Sequence, residues 1–207
     1  TNCETVTDFA QGFEATTGAL FPLCWSKVGT AGSAYTQNGT GISGARLLYM
    51  YTSTANSQPV VAMIPVSNAA AGTHRMVMKV RANVTVGETI QLGYLTNPTD
   101  ATTFVAINSI VTNSLTVVQN FVTVPTGMPA GDVVFALRTG NSAFASVLID
   151  DITWEPIPAV APNCSAILTP TNAAINVSSG KITWANNIDA TGYKISAGTS
   201  AGATNVL

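Results

Sequence analysis

The sequence predicts an all-β protein, a β-sandwich followed by the start of a second, smaller β unit. Three observations carry this. Short segments of alternating apolar and polar residues recur along the chain, separated by Gly, Pro, Asn and Ser; this is the pattern of half-buried strands. β-Branched residues are spread throughout, and potential helix caps lead into no helical pattern. Charged residues make up only 9% of the 207, against roughly a quarter in an average globular domain. Ala, Thr, Ser, Asn, Gly and Val dominate instead, the look of a secreted β protein with a neutral, hydroxyl-rich surface.

Strands are expected in order as follows. The first clear one covers 46–51. The next, 75–83, alternates most cleanly: Met76, Met78 and Val80 face one way, and Arg75, Lys79 and Arg81 the other. Over 89–95, Ile90, Leu92 and Tyr94 share a side. Further strands are expected at 103–107, 115–124, 132–138 and 147–154. Seven or eight short strands at such spacing argue for a sandwich over residues 1–156. Pro156, Pro158 and Pro162 then mark a stiff linker at 157–164. Beyond it Ile182 alternates with Trp184, a polar turn follows, and Tyr193 alternates with Ile195. A second β unit is expected over 165–207.

Several function classes are excluded early. A net charge of −2 with no basic cluster argues against nucleic acid, whose phosphates need grouped Lys and Arg. No apolar run approaches the roughly 20 residues of a membrane span. No signal-peptide pattern is present, so Thr1 is expected to be a mature or recombinant terminus. The three cysteines, Cys3, Cys24 and Cys164, form no CxxC, which argues against zinc. Cys3 and Cys24 are expected to pair; closing that loop contributes roughly 3 kcal/mol on the chain-entropy view. Cys164 is left over. The alternative is three free thiols.

One stretch resists the strand pattern. VLIDDITWEP, residues 147–156, sets Asp150 and Asp151 among strand formers, where Asp is depleted. Successive strand side chains point to opposite faces, so the two carboxylates are expected to point apart. The inward or edge-facing one needs a cation or hydrogen-bond donors, because a bare buried carboxylate is very costly.

That closing stretch, with the opening QGFEATTGALFPLCW (11–25) and GYLTNPTDATTFVAI (93–107), resembles MAM-like, choice-of-anchor jelly-roll domains of secreted bacterial surface proteins. Those are related to the cleaved-adhesin domains of gingipain-type proteases and, in architecture, to jelly-roll carbohydrate-binding modules. The resemblance covers about residues 4–156. It implies a structural calcium tying the first strand to the last, held by the Glu of G-F-E and the first Asp of I-D-D, here Glu14 and Asp150. Calcium takes six to eight oxygens, so further donors are expected from the small polar segment 33–44, with Asn38 the candidate within it. The alternative for Asp150 is a hydrogen-bonding role without metal. The tail, with KITW and GYKI, resembles the first strands of a fibronectin type III domain, in which Trp184 and Tyr193 would be core residues. Such a domain is incomplete at Leu207, as in a fragment or truncated chain.

Trp25, Tyr35, Tyr49, Tyr51, Tyr94 and Phe104 are the aromatic residues that could form a sugar-stacking platform. Tyr49 and Tyr51 share a strand face and are the best candidates for stacking on a sugar, whereas Trp25, Tyr94 and Phe104 are expected to pack in the core. His74, the only histidine, is expected to be a surface imidazole. Glu88, Asp100 and Asp132 sit beside turn residues and are expected to be solvated turn acids. This leaves no acid–base pair for glycoside hydrolysis and no triad. The expectation is a secreted or cell-surface, non-catalytic accessory or adhesion module. Its partner is a polysaccharide or cell-surface glycan, with an extracellular protein as the alternative.

Overall fold

The computed structural model describes residues 3–39, 42–158, 174–176 and 181–183. The chain divides into two compact units, Thr1–Ile157 and Pro158–Leu207. The strands of the first unit are β1 (Phe9–Gln11), β2 (Ser26–Val28), β3 (Ser33–Asn38), β4 (Arg46–Tyr51), β5 (Val60–Ala62), β6 (His74–Ala82), β7 (Thr89–Leu95), β8 (Phe104–Val111), β9 (Gln119–Thr123), β10 (Val134–Thr139) and β11 (Ser146–Pro156). They form two antiparallel sheets, a jelly-roll β-sandwich. A six-stranded sheet runs β3-β4-β11-β6-β9, with β1 pairing to the distal part of β11, and a five-stranded sheet runs β2-β5-β10-β7-β8.

Period-2 alternation builds the core. In β6, Met76, Met78 and Val80 are fully buried, and Ile90, Leu92, Phe135 and Leu137 of the other sheet join the same cluster. Trp25 closes one side of it, contacted edge-on by Phe9 and Phe13 at 5.8 and 5.7 Å. Cys3 and Cys24 are bridged, with Cα atoms 5.6 Å apart. The bridge fastens the N-terminal segment to the loop before β2.

The predicted strands at 46–51 and 89–95 match β4 and β7. β8 runs further than expected, to Val111, and β9 starts later, at Gln119. Four strands were not foreseen. β1, β2 and β5 have three residues each, too few to show a period. β3, SAYTQN, has the composition of a loop. It lies at the edge of its sheet, where polar side chains can face water.

The second unit contains the antiparallel pair β12 (Ala174–Asn176) and β13 (Lys181–Thr183), with Ile175 opposite Ile182. Most of the expected linker, Cys164, Trp184, Tyr193 and the rest of the expected fibronectin type III segment lie outside the described residues.

Candidate functional site

The two sheets differ on the faces they turn away from the core. Outside the five-stranded sheet, Val28, Val60, Ala62, Leu95 and Ala136 form a second buried cluster, with Ala101 and Phe104 packed on it. Phe104 reaches it because residue 93 is glycine: a Cβ there would collide with the Phe104 ring and the Val105 carbonyl. Arg138 lies over the Phe104 ring, 4.2 Å from its centroid, and donates to Gln91 Oε1 at 2.9 Å. The chain itself covers this face.

The outer face of the six-stranded sheet is more open. Tyr35 on β3 lies opposite Tyr49 on β4, their rings 5.0 Å apart, and Tyr49 stacks on Tyr51 at 6.3 Å with planes 16° apart. All three are half-buried. Tyr49 pairs with Leu148 of β11, which pairs in turn with Arg81 of β6. Beside this ladder runs a groove of about 300 Å³ lined by Gln37, Asn38, Gly39, Arg81, Asn83 and Leu148. The Asn83 amide donates to Ser146 Oγ at 2.9 Å, and that hydroxyl lies 3.5 Å from the Tyr49 hydroxyl. The sequence had indicated Tyr49 and Tyr51. Tyr35 is also a stacking candidate by residue type, but its segment has the composition of a loop, so nothing in the sequence places it beside β4 or forms the groove.

Further along β11 the Asp pair resolves. Asp150 is fully buried. It accepts hydrogen bonds from Ser43 N–H at 3.2 Å, Ser43 Oγ at 3.4 Å and Asp151 N–H at 2.8 Å. Burial nevertheless pushes its carboxyl up to about 6, against those hydrogen bonds. The expectation that Asp151 points to the opposite face needs correction. The pairing of β11 with β6 slips between Asp150 and Thr153, and Asp151 takes the left-handed conformation, φ 46°. Such a bulge re-aims a side chain, and Asp is among the few residues that tolerate that region. The Asp151 carboxylate therefore meets Ser43 Oγ at 2.6 Å and Lys79 Nζ at 2.7 Å. Burial acts to raise its pKa, but the bonds from Lys79 and Ser43 outweigh it and hold it low. The same contact raises the Lys79 ammonium.

Glu14 reaches the same loop from the other side. Its carboxylate accepts from Ala45 N–H at 3.0 and 3.1 Å and from Arg46 N–H at 3.1 Å. It lies directly against Gly44, where a Cβ would fall on the carboxylate. Residues 43–46 are thus gripped by Glu14 and by Asp150. Asn38 is engaged elsewhere: its Oδ1 accepts from Arg46 Nη1 at 2.7 Å. The guanidinium also binds Thr16 Oγ1, Thr36 Oγ1 and the Gly18 carbonyl.

The residue set fits a divalent cation in charge. Three carboxylates surround residues 43–46, and Lys79 pairs with one of them, Asp151. By side chains alone, however, no group of three or more His, Cys, Asp and Glu is placed for a metal among the described residues. Backbone carbonyls would have to complete the shell.

The remaining candidates serve structure. His74 is less exposed than expected. Its side chain is 12% accessible, bonded to Asp8 and Thr73 Oγ1 at 2.8 Å each and stacked on Trp154. Glu88 is buried, not solvated, and burial raises its pKa; its backbone is bonded to Thr112, a partner its turn-like neighbours concealed. Asp100 caps a short 3-10 turn through Thr102, whose hydroxyl and N–H hold its pKa low. Asp132 accepts from Thr5 Oγ1 at 2.7 Å. Trp25 is in the core, Tyr94 packs against it, and Phe104 belongs to the second cluster.

No family model matches the chain, and no curated protein matches it. Solved structures do share its fold. The K2 cleaved adhesin domain of Lys-gingipain superposes with a TM-score of 0.57 at 17% identity, over 72% of this chain and 97% of that one. The K1 domain from Porphyromonas gingivalis W83 gives 0.56 at 14%, over 73% and 99%. The CBM22-1 xylan-binding domain of Paenibacillus barcinonensis Xyn10C gives 0.52 at 12%, over 75% and 99%. At such identities the likeness establishes the jelly-roll fold.

Proposed function

We propose that this chain is a non-catalytic module of a secreted or cell-surface bacterial protein, and that it binds carbohydrate on the outer face of its six-stranded sheet. The observation that carries this reading is the ladder of Tyr35, Tyr49 and Tyr51 beside a groove with amide and guanidinium groups. A sugar ring has an apolar face and a polar rim. Half-exposed tyrosines offer a stacking surface for the first, and Gln37, Asn83 and Arg81 offer hydrogen bonds to the second. Two of the folds it resembles, cleaved adhesins and a xylan-binding module, are consistent with this class of role.

A glycan array on the purified chain, followed by calorimetry on any hit, tests the reading. Binding should be lost in Tyr49→Ala. An array without hits moves the chain to the alternative, a protein-binding adhesin or spacer.

The same reading includes a structural calcium bound by Glu14 and Asp150, with carbonyls of the 42–45 segment completing the shell. Asn38 joins only if it releases Arg46. The ion would neutralise the surplus negative charge and lock residues 43–46 between the first and last strands. An ion that binds only the folded state stabilises it by roughly 2.7 kcal/mol at a hundredfold excess over Kd. Melting curves with calcium and with chelator test this. The shift should vanish in Asp150→Ala and Glu14→Ala and shrink in Asp151→Ala. Identical curves for the parent would return Asp150 to a purely hydrogen-bonding role.

A further inference from the structure

The outer face of the six-stranded sheet carries a second concavity. Val77 and Lys79 lie on the same side of β6 as Arg81, since Met76, Met78 and Val80 between them are buried in the core and strand side chains alternate. Arg81 lines the groove beside the tyrosines. Val77 and Lys79 line a separate pocket of about 360 Å³, which shares no lining residue with that groove. Four neighbouring strands build it. Thr153 of β11 lies between Ala10 of β1 and Val77 of β6, and Asn120 of β9 lies opposite Lys79.

The polar groups here are both donors and acceptors, and the charges are already paired. Asp151 bonds Ser43 and Lys79 through Oδ2. Its Oδ1 faces Gly12, 3.3 Å from where a Cβ on that residue would sit, so the absent side chain leaves this oxygen uncovered from that direction. Glu155 takes both Arg75 bonds on Oε1, at 2.8 and 2.6 Å, while Oε2 accepts a long bond of 3.4 Å from Thr153 Oγ1. Gln11 Oε1 accepts from Phe13 N–H, which leaves its amide NH₂ as a donor. Asn120 is exposed and offers both functions.

We propose that this pocket is a second carbohydrate subsite, which holds a single neutral sugar unit by hydrogen bonds. The proposal rests on the carbohydrate reading above and adds a place to it. Charge selects the ligand. With Asp151 paired to Lys79 and Glu155 to Arg75, an anion meets two carboxylates and an organic cation meets the Lys79 ammonium. Neither finds an unpaired counter-ion. A hydroxyl both donates and accepts, so a polyol can serve Asp151 Oδ1 and Glu155 Oε2 with its hydrogens and Gln11 and Lys79 with its oxygens. Val77 and Ala10 take the C–H groups of the ring. No aromatic residue is among the described residues that line the pocket. The unit is therefore held by bonds exchanged with those of water, each of small net value. Binding at this subsite is weak, and array signals still depend on the tyrosines.

NMR titration of the ¹⁵N-labelled chain tests the proposal, with D-glucose, D-galactose and D-xylose as neutral probes and D-glucuronate and D-glucosamine as charged ones. At least one neutral sugar should shift the Asn120 and Gln11 side-chain amide signals saturably. Glucuronate and glucosamine should bind there more weakly than glucose. Asn120→Ala should weaken the response at Gln11 and Thr153 about tenfold, as for one lost hydrogen-bonding group. The exposed position should leave the melting temperature near that of the parent. Tyr49→Ala should leave the Asn120 shifts in place. Shifts at Asn120 with silent tyrosines would support this pocket and count against the tyrosine face. Shifts at the tyrosines with a silent Asn120 overturn the pocket and leave the tyrosine face standing. Silence at Asn120 with all three neutral sugars overturns the proposal. So does a charged sugar that binds there as well as glucose, or a response that Asn120→Ala leaves intact.

Discussion

The two outer faces of the sandwich are built from the same alternation and end in opposite states. Outside the five-stranded sheet, Leu95, Val60 and Ala136 are apolar, and the Phe104 segment folds back to cover them. Outside the six-stranded sheet, the corresponding positions are Tyr35, Tyr49, Arg81, Lys79 and a buried Asp150. Among the described residues, the 43–45 segment lies against part of it, held there by carboxylates. One face is closed by hydrophobic contact. The other is bridged by polar bonds, and the tyrosines on it remain half-open. A face covered by its own chain stores stability, whereas a face bridged by ionisable groups stays responsive to pH, ions and ligand.

The largest expected effect that would break this comparison concerns Asp150. Its folded-state pKa is raised, by burial, from 3.8 to about 6. The calcium-free folded chain therefore holds a proton that the unfolded chain has released. This contribution to stability is complete below pH 3.8 and is lost as pH rises through about 6; it is worth at most about 3 kcal/mol. Chelator-treated protein should thus be more stable near pH 4.5 than near pH 7.5, and Asp150→Asn should flatten much of that slope. Glu88, also raised by burial, contributes in the same sense and leaves a residue of slope in the variant. Saturating calcium should reverse the trend, since the ion binds the ionised carboxylate. Urea melts at both pH values, with and without calcium, check all four conditions. A parent chain equally stable at both pH values without calcium would remove the responsive face from the comparison.

Next in size is a change on the covered face. Phe104→Ala uncovers the second cluster and removes the ring beneath Arg138. A loss of about 2 kcal/mol is expected, below the range for a fully buried Phe. Glycan affinity and the calcium-dependent shift should be untouched. Tyr49→Ala is its mirror image. It should abolish glycan binding while changing stability by about 1 kcal/mol or less, as expected for a half-exposed ring. If Phe104→Ala impaired binding as much as Tyr49→Ala, the ligand face would be misassigned.

The smallest expected effect is that of Lys79→Met. The pair with Asp151 is about a third exposed on both sides, so the loss should stay within about 1 kcal/mol. Its informative consequence is on calcium. Without the ammonium the loop carries one more uncompensated negative charge, and calcium affinity should rise. Isothermal titration of the variant against the parent decides this; an unchanged or weaker affinity would separate Lys79 from the cation site.

Much of this protein follows from the sequence alone. Strict alternation in 75–83 determines which side of β6 is buried, because a strand's side chains have no other choice of face. Low charge and the spacing of short strands determine an all-β sandwich. The separation of Cys3 from Cys24 suggests their bridge, and the Asp pair in an apolar strand marks where something other than hydrophobic packing must happen. What happens there was settled only in three dimensions. The bulge that turns Asp151 back beside Asp150 depends on how β11 registers against β6. The Tyr35–Tyr49 contact depends on a six-residue edge strand that reads as loop. The contacts of Glu88 with Thr112 and of His74 with Asp8 and Trp154 come from distant positions in the chain. Alternation is a local property and can be read residue by residue. Register, edge pairing and loop cover depend on which strands become neighbours, and no single window of sequence holds that information.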